Sequence, residues 1–197
     1  MKLIVKIILI FLISITLNAR EIGETEITTE DGIEVFQNEK YYLLKQNVKI
    51  DSDNFILSAD KVKISFDKSL YDITELDAYG SVDFYSEEFQ IKGNGNFLNF
   101  EVKIEKIKVE GEGSELITKD VKMFSDGFIE VSNLNGNFLL KGINSKLLNE
   151  DILIIAENIN GNFSKNTEDQ EITYLEVDDN SICYVKNNDT EMYAKKI

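Results

Sequence analysis

The amino-acid sequence predicts an all-β protein built from short strands that stack on one another. Hydrophobic and polar residues alternate with a period of two in the stretch 55–84, FILSADKVKISFDKSLYDITELDAYGSVDF. Such alternation over about 5 to 6 residues is typical of half-buried strands. Related patterns return later in the chain, and no stretch after residue 19 has the hydrophobic period of a helix. We therefore expect one all-β domain with a sizeable core.

The start of the chain, MKLIVKIILIFLISITLNA at 1–19, predicts a secretory signal peptide. Lys2 and Lys6 form a positive region, residues 7–17 form an apolar segment, and Ala19 is the small residue before a cleavage site. An uncleaved anchor helix is the alternative. A membrane span needs about 20 apolar residues, and this segment is shorter, so we expect cleavage and export.

The remaining pattern divides the chain into three segments. Residues 20–41 are polar and acidic and predict a loose lead-in. Residues 42–185 carry strand patterning throughout and predict one β domain, and residues 186–197 predict a C-terminal tail. Within the domain we expect separate strands at 42–50, 55–59, 62–66 and 76–84.

Two sequence patterns recur and predict stacked structural units. One is found at 73–78, 104–109 and 172–177. The other is found at 62–66, 134–138 and 159–163. The spacing is too irregular for a strict array, but it fits stacked rungs with loops of different lengths, because such units cannot bury their apolar face singly. In the last two copies an Asn-Gly pair predicts either a tight hairpin turn or a bend in a continuous strand.

Composition argues against several classes of function. The chain has no histidine, so catalytic triads and ordinary zinc sites lack their commonest residue. Removal of residues 1–19 would leave 19 basic and 36 acidic residues, a net charge of −17, whereas nucleic-acid binding relies on a basic patch. We expect neither an enzyme nor a nucleic-acid-binding protein. The lone Cys183 is expected to be buried as a small hydrophobic residue.

Two kinds of short motif carry no specific function. The Gly-x-Gly motifs at 93–95 and 111–113 lack the lysine of a phosphate-binding loop and lie between predicted strands instead of before a helix. The acidic groups at 51–53 and 87–88 suggest paired carboxylates or calcium ligands, but no complete calcium-loop spacing is present. Chance clustering among 36 acidic residues explains them. No cofactor or metal is therefore expected.

The order of motifs in 55–84 resembles the periplasmic lipopolysaccharide-transport proteins of the LptA/OstA-like family. The resemblance rests on an Ala-Asp step, an alternating strand that ends in an aromatic residue, and the pattern Ala-x-Gly-x-Val-x-Phe. The matching residues are Ala59, Asp60, Val62, Ile64, Phe66, Ala78, Gly80, Val82 and Phe84. A further copy lies at 42–50, where Gln46 replaces the usual glycine and lacks its backbone freedom.

The resemblance implies a fold and a function. Members of the family are elongated, folded-over antiparallel sheets, called a β-jelly-roll or β-taco, with solenoid-like stacking. They join end to end across the periplasm and pass lipopolysaccharide from the inner to the outer membrane. The resemblance therefore implies a periplasmic location and no catalytic residues. The implied partners are inner-membrane and outer-membrane transport components of the same fold, joined by strand addition.

Two other functions remain as alternatives. A membrane-anchored sister component of the same pathway would share the fold and keep its N-terminal helix. A β-solenoid adhesin or structural protein would show similar periodicity and bind no lipid.

An apolar trough between two incompletely closed sheet walls would hold the acyl chains of a lipid. Burying an acyl chain contributes about 0.8 kcal/mol per CH2, so affinity would not need a charged site. Ordinary core packing is the alternative reading for each expected lining residue. These residues are Phe55, Leu57, Ala59, Val62, Ile64, Phe66, Leu76, Ala78, Val82, Phe84, Phe89, Ile91, Phe138 and Phe163.

The ends of such a sheet predict head-to-tail association. An open sheet leaves unpaired N–H and C=O groups on its first and last strands, and these edges pair with another chain unless they are blocked. The sequence places the edges around 42–50 and 175–185, and it contains no proline to block them. A monomer kept apart by its acidic charge is the alternative.

Overall fold

The structure, a computed structural model, describes residues 24–164 and 171–197, so the predicted signal peptide lies outside the described residues. This part of the chain forms one sheet of fourteen antiparallel strands. A 3₁₀ turn at Val102–Ile104 is its one helical element, and no helix in it is long and apolar enough to cross a membrane. The predicted all-β fold class is confirmed.

The strands follow one another along the chain and mostly pair with their sequence neighbours. They are β1 (Glu26–Thr28), β2 (Ile33–Phe36), β3 (Tyr41–Asp51), β4 (Phe55–Phe66), β5 (Ile73–Ser86), β6 (Ile91–Glu101), β7 (Lys106–Glu110), β8 (Ser114–Ile117), β9 (Val121–Ser125), β10 (Phe128–Ser132), β11 (Asn137–Asn149), β12 (Ile152–Phe163), β13 (Ile172–Asn187) and β14 (Thr190–Lys196).

The long strands are bent near their middle. Strand β4 pairs with β5 on both sides of a register shift between Ser58 and Lys61. Strands β3, β11, β12 and β13 carry similar shifts against their neighbours. Irregularities of this kind bend a strand and increase its twist. Because they lie side by side, they form a continuous fold line, which we call the crease.

The crease divides the sheet into two walls. Wall 1 contains residues 33–36, 41–45, 61–66, 73–79, 97–101, 106–110, 128–132, 137–141, 158–163 and 172–178. Wall 2 contains residues 26–28, 48–51, 55–59, 82–86, 91–95, 114–117, 121–125, 145–149, 152–156, 183–187 and 190–194. Strands β7 and β8 together replace one bent strand, since β6 pairs with both, and β9 and β10 do the same next to β11.

The inner faces of the two walls share one hydrophobic core. Alternation turns every second residue inward, so Leu57 of wall 2 and Val62 of wall 1 are both completely buried. Farther along the sheet, the ring centroids of Phe138 and Phe163, both on wall 1, lie 4.5 Å apart. Because buried residues of both walls belong to one cluster, the sheet is folded over, as the family resemblance implies.

The two Asn-Gly copies adopt different structures. Gly136, with φ of 71°, lies in the turn between β10 and β11, so this copy makes a turn. Gly161 lies inside the continuous strand β12, opposite Phe138 of β11. A Cβ at Gly161 would lie 2.9 Å from Phe138 Cε1. The second copy therefore makes room for an aromatic ring.

Two sequence-based expectations about the strands differ from the structure. Residues 55–59 and 62–66 are not separate strands; they are the two halves of β4, because the break in alternation at Asp60 is a bend and not a turn. The sheet also extends beyond residues 42–185. Strands β1 and β2 lie within the expected lead-in, and β14 lies within the expected tail.

The expected N-terminal sheet edge was wrong, and the expected C-terminal edge was right only in part. Strands β1 and β2 pair with β3, so residues 42–50 lie inside the sheet. Strand β14 pairs with β13 through 183–187, and the end of the chain also pairs with Val177 and Asp178. The outermost strands are therefore β1 and β2 at the N-terminal end, and β14 and residues 172–176 of β13 at the C-terminal end.

Candidate lipid-binding interior

The crease is built at positions with left-handed backbone conformation. Gly80 has φ of 70° and Asn144 has φ of 65°, a region that glycine and, less often, asparagine adopt without large strain. Gln46 also adopts it, with φ of 61°. This is the position where the family pattern has glycine, so the chain keeps the bend with a less suitable residue.

Two buried serines complete the crease between β9 and β11. Their Oγ atoms, on Ser125 and Ser145, lie 3.0 Å apart. Ser145 Oγ donates to the carbonyl of Gly142 at 2.9 Å, and the Gly127 N–H donates to Ser125 Oγ at 3.1 Å. The serines thus satisfy backbone groups that the irregular pairing leaves without strand partners.

Thirteen of the fourteen expected lining residues lie on the inner side of the walls, and Phe89 lies in the turn between β5 and β6. Twelve of them are buried, and Phe55 and Phe89 are half-buried against the core. Their contact with a lipid stays a prediction, since burial is common to a lipid lining and to a core. The buried interior also includes residues that the sequence analysis did not single out: Leu44, Leu98, Val109, Leu116, Met123, Ile129, Leu140, Leu147, Ile154, Ile159, Val177 and Val185.

The sequence around these additional interior residues also shows inward-facing residues at every second position. Leu116 is followed by Thr118, and Val121 by Met123, in the same period of two that marks the earlier strands. The strands there are short, so the pattern is weaker. Cys183 is completely buried next to β14, which confirms the expected burial of the lone cysteine.

The side opposite the crease is the open side of the folded sheet, which we call the mouth. The turns along it join neighbouring strands of one wall. The first lip consists of the wall 1 turns at 37–40, 67–72, 102–105 and 133–136. The second lip consists of the wall 2 turns at 52–54, 87–90, 118–120, 150–151 and 188–189.

The two lips differ in chemistry. The first lip and the adjoining strand end expose large apolar side chains: Leu70, Tyr71, Ile73, Val102, Ile104 and Leu134. Tyr71 is 94% exposed. The second lip is rich in acids: Asp53, Glu87, Glu88, Asp120, Glu150, Asp151 and Asp189. A hydrocarbon chain would therefore meet apolar surface on one lip, whereas an anionic group would be repelled by the other.

Charged groups on the first lip are partly paired. Lys40 Nζ lies 3.0 Å from Asp67 Oδ1. The hydrogen bond and charge of Lys40, with a smaller contribution from Lys103, lower the pKa of Asp67 below its ordinary value. This lip therefore combines exposed apolar side chains with nearby charges of both signs.

Two small apolar cavities lie in the mouth between the walls. One is lined by residues that include Phe89, Phe100, Ile107, Thr118 and Asn133, and the other by residues that include Phe55, Phe84, Phe89, Phe100 and Ile107. Each has a volume of about 20 Å³, which is close to the space of one water molecule. An acyl chain is far larger. It can enter only where the walls separate.

A wider cleft lies farther along the mouth, toward the C-terminal end of the sheet. Its volume is about 540 Å³. Ile152 and Ile172 line it together with polar residues that include Glu150, Asp151 and Glu171. The polar lining makes this cleft a poor place for hydrocarbon.

Comparison with known proteins finds a family model whose matched residues include the motif residues at 55–84. No curated protein matches the chain significantly. Among solved structures the chain is similar to LptH, "the LptA homologous periplasmic component of the conserved lipopolysaccharide transport device from Pseudomonas aeruginosa", with 11% identity over 55% of this chain and 76% of that chain and a TM-score of 0.47. Residues 27–125, half of the chain, match the family described as "LptA/(LptD N-terminal domain) LPS transport protein". The chain therefore belongs to this family of lipopolysaccharide transport proteins.

Proposed function

We propose that this protein is a periplasmic bridge component that carries lipopolysaccharide from the inner to the outer membrane, with the acyl chains held between its two walls. Membership of a transport family supports lipopolysaccharide as the cargo. The observation that carries the proposal is the interior itself, whose hydrophobic core runs from β3 to β13 and lies along the mouth. The protein acts by binding, and we assign it no catalytic step.

The energetics favour binding through the acyl chains. Burial contributes about 0.8 kcal/mol per CH2, so ten methylenes contribute about 8 kcal/mol. The formal net charge of −15 for the whole chain disfavours an anionic headgroup at long range. We therefore place the headgroups outside the mouth, away from the second lip or neutralised by divalent ions.

Strand addition at the two ends of the sheet would form the bridge. At the N-terminal end β2 exposes Ile33 and Val35, at 51% and 49%. At the C-terminal end β13 exposes Tyr174 and β14 exposes Tyr193. In a head-to-tail contact, β2 of one molecule would meet residues 172–176 of β13 in the next, and β1 would meet β14. This contact joins different surfaces, so it can continue along a row of molecules or recruit partners of the same fold.

The test of the proposal is the lipid content of the purified protein. The mature protein is isolated from the periplasm of a Gram-negative host without detergent, and bound lipids are identified by mass spectrometry. A second exported acidic β protein, purified in parallel, is the control. We expect lipopolysaccharide to copurify with this protein and not with the control protein. If neither the isolated protein nor purified lipopolysaccharide added in vitro gives a complex, the proposed function is wrong.

A further inference from the structure

Phe89 spans the mouth from one wall to the other. It lies in the turn at 87–90 of the second lip, and its ring packs edge to face on Phe100 of wall 1, with centroids 6.3 Å apart and an interplanar angle of 62°. Aromatic pairs in this geometry attract each other beyond the effect of area burial alone. The pair therefore helps to hold the two lips together near the middle of the sheet.

The same ring separates the two small cavities of the mouth. Phe89, Phe100 and Ile107 line both cavities. Phe100 and Ile107 are opposite each other on neighbouring strands of wall 1. Of the three residues that line both cavities, Phe89 is therefore the one that comes from the side of wall 2. Displacement of this one ring would join the two cavities into a single apolar space.

Phe89 is held less firmly than its partner. Phe100 lies within β6, paired with Leu76 on one side and Ile107 on the other. Phe89 lies in a turn, where its N–H donates to Ser86 Oγ at 3.3 Å and the Glu87 N–H donates to the carbonyl of Asn54 at 2.9 Å. Since turns at the surface open at lower free energy than paired strands, the mouth would open from the Phe89 side.

We propose that the mouth at Phe89 is the entrance for the first hydrocarbon chain, and that the Phe89 ring closes this entrance when the interior is empty. The inference rests on the proposed lipid-binding function and names the place where binding begins. An incoming chain takes the space of the ring and packs on Phe100 and Ile107. At the outer rim, Asn133 Nδ2 donates to Glu105 Oε2 at 2.8 Å, and this negative carboxylate keeps an anionic headgroup outside.

The experiment measures how fast a single-chain probe enters the full-length mature protein. Fluorescent cis-parinaric acid is mixed with wild type, Phe89→Ala, Phe89→Leu and the control Phe97→Ala in a stopped-flow instrument. Phe97 belongs to the same strand as Phe100 but packs on Tyr79 at 5.0 Å on the outer face, so the control also loses an aromatic pair. At high probe concentration the uptake rate reaches a limit set by opening of the mouth.

We expect Phe89→Ala to raise this limiting rate about two- to tenfold. This is the factor by which opening speeds up when the free energy of one aromatic pair no longer opposes it. Phe89→Leu should lie between wild type and Phe89→Ala, and Phe97→Ala should match wild type. Because Leu fills most of the space of the ring, this variant keeps the test valid if Phe89→Ala fails to fold by circular dichroism.

Three other outcomes overturn the inference in distinguishable ways. Equal uptake rates for wild type and both Phe89 variants would place the entrance elsewhere and leave the lipid-binding function standing. Slower uptake by the Phe89 variants would make the ring a binding contact and not a closure. Absence of probe binding by every folded protein would overturn the inference alone, because the proposed function is decided separately by the lipopolysaccharide complex.

Discussion

Asp60 lies against the backbone of Gly80 on the neighbouring strand, where the sheet folds over. A Cβ at Gly80 would lie 3.1 Å from the Cβ of Asp60 and 2.9 Å from its Cγ. Gly80 also has φ of 70°, which other residues rarely adopt. The Ala-Asp step and the glycine, separated in sequence, are thus two halves of one device that bends the sheet.

Gly80→Ala is expected to lower the free energy of unfolding by about 2–4 kcal/mol. Left-handed strain contributes about 1–2 kcal/mol, and crowding against Asp60 adds about 1–2 kcal/mol. Gly32→Ala is the matched control, since Gly32 has φ of 76° with nothing within 4 Å of its Cβ position. Urea unfolding of both variants measures the difference. Equal losses would mean that the contact with Asp60 has no energetic role.

Gln46→Gly is expected to stabilise the protein by about 0.5–1 kcal/mol. The left-handed conformation of Gln46 costs about 1–2 kcal/mol, and the greater freedom of glycine in the unfolded chain offsets part of the gain. Asn47→Gly serves as the control. Asn47 tolerates its φ of 49°, and its Nδ2 donates to Glu30 Oε1 at 2.8 Å, so no gain is expected there. A destabilised Gln46→Gly variant in urea unfolding would contradict this account.

Phe66→Asp is expected to destabilise the protein by about 3–5 kcal/mol or to prevent folding, because an unpaired charge would lie in a closed interior. Phe66 is buried on wall 1 and packs near Tyr42, with ring centroids 6.3 Å apart. Ser65→Asp, one residue away on the outer face opposite Glu75, should cost less than about 1 kcal/mol.

Circular dichroism and thermal unfolding compare the Phe66 and Ser65 variants. A Phe66→Asp protein that keeps wild-type stability and also captures lipid normally would show that Phe66 does not line the interior. One that folds but no longer captures lipid would show that solvent reaches the empty interior more readily than its burial indicates.

Val35→Lys is expected to prevent head-to-tail association by placing a charge on the outermost strand of wall 1 at the N-terminal end. Tyr71→Lys is the matched control, because Tyr71 is also exposed but lies on the first lip, away from both ends. Sedimentation velocity over a range of protein and salt concentrations provides the measurement. Wild type and Tyr71→Lys should associate more at high salt, which screens the acidic charge. Equal association of Val35→Lys would exclude β2 from the contact.

The sequence predicted the interior well because burial in a sheet depends on a period of two. Phe84 and Phe138 were expected to face inward, and both are buried. The bend was harder to recognise. Buried positions run Leu57, Ala59 and then Val62, so the spacing changes from two to three across the crease. A turn and a bend both interrupt alternation, and the sequence alone does not distinguish them.

The mouth could not be predicted from the sequence for a different reason. Phe89 and Phe100 carry no local pattern that relates them, and their contact depends on where the sheet folds. Likewise, Leu70 and Val102 lie far apart in sequence and share a lip only because turns of the same wall line up along one side. Spacing in sequence reports on neighbours within a strand and not on which turns meet across a fold.

The crease allows the two walls to move apart while each wall keeps its own interstrand hydrogen bonds. The described mouth turns join strands of the same wall, so the chain passes between the walls at the crease, where pairing is already interrupted. Separating the walls would therefore expose their packed apolar side chains to water, at a free-energy cost of about 25 cal/mol per Å² of apolar surface. The interstrand hydrogen bonds within each wall would stay intact. This cost rises with the length of interior that is exposed. A lipid chain can therefore enter one strand pair at a time, because each methylene that enters covers apolar surface that the separation exposed.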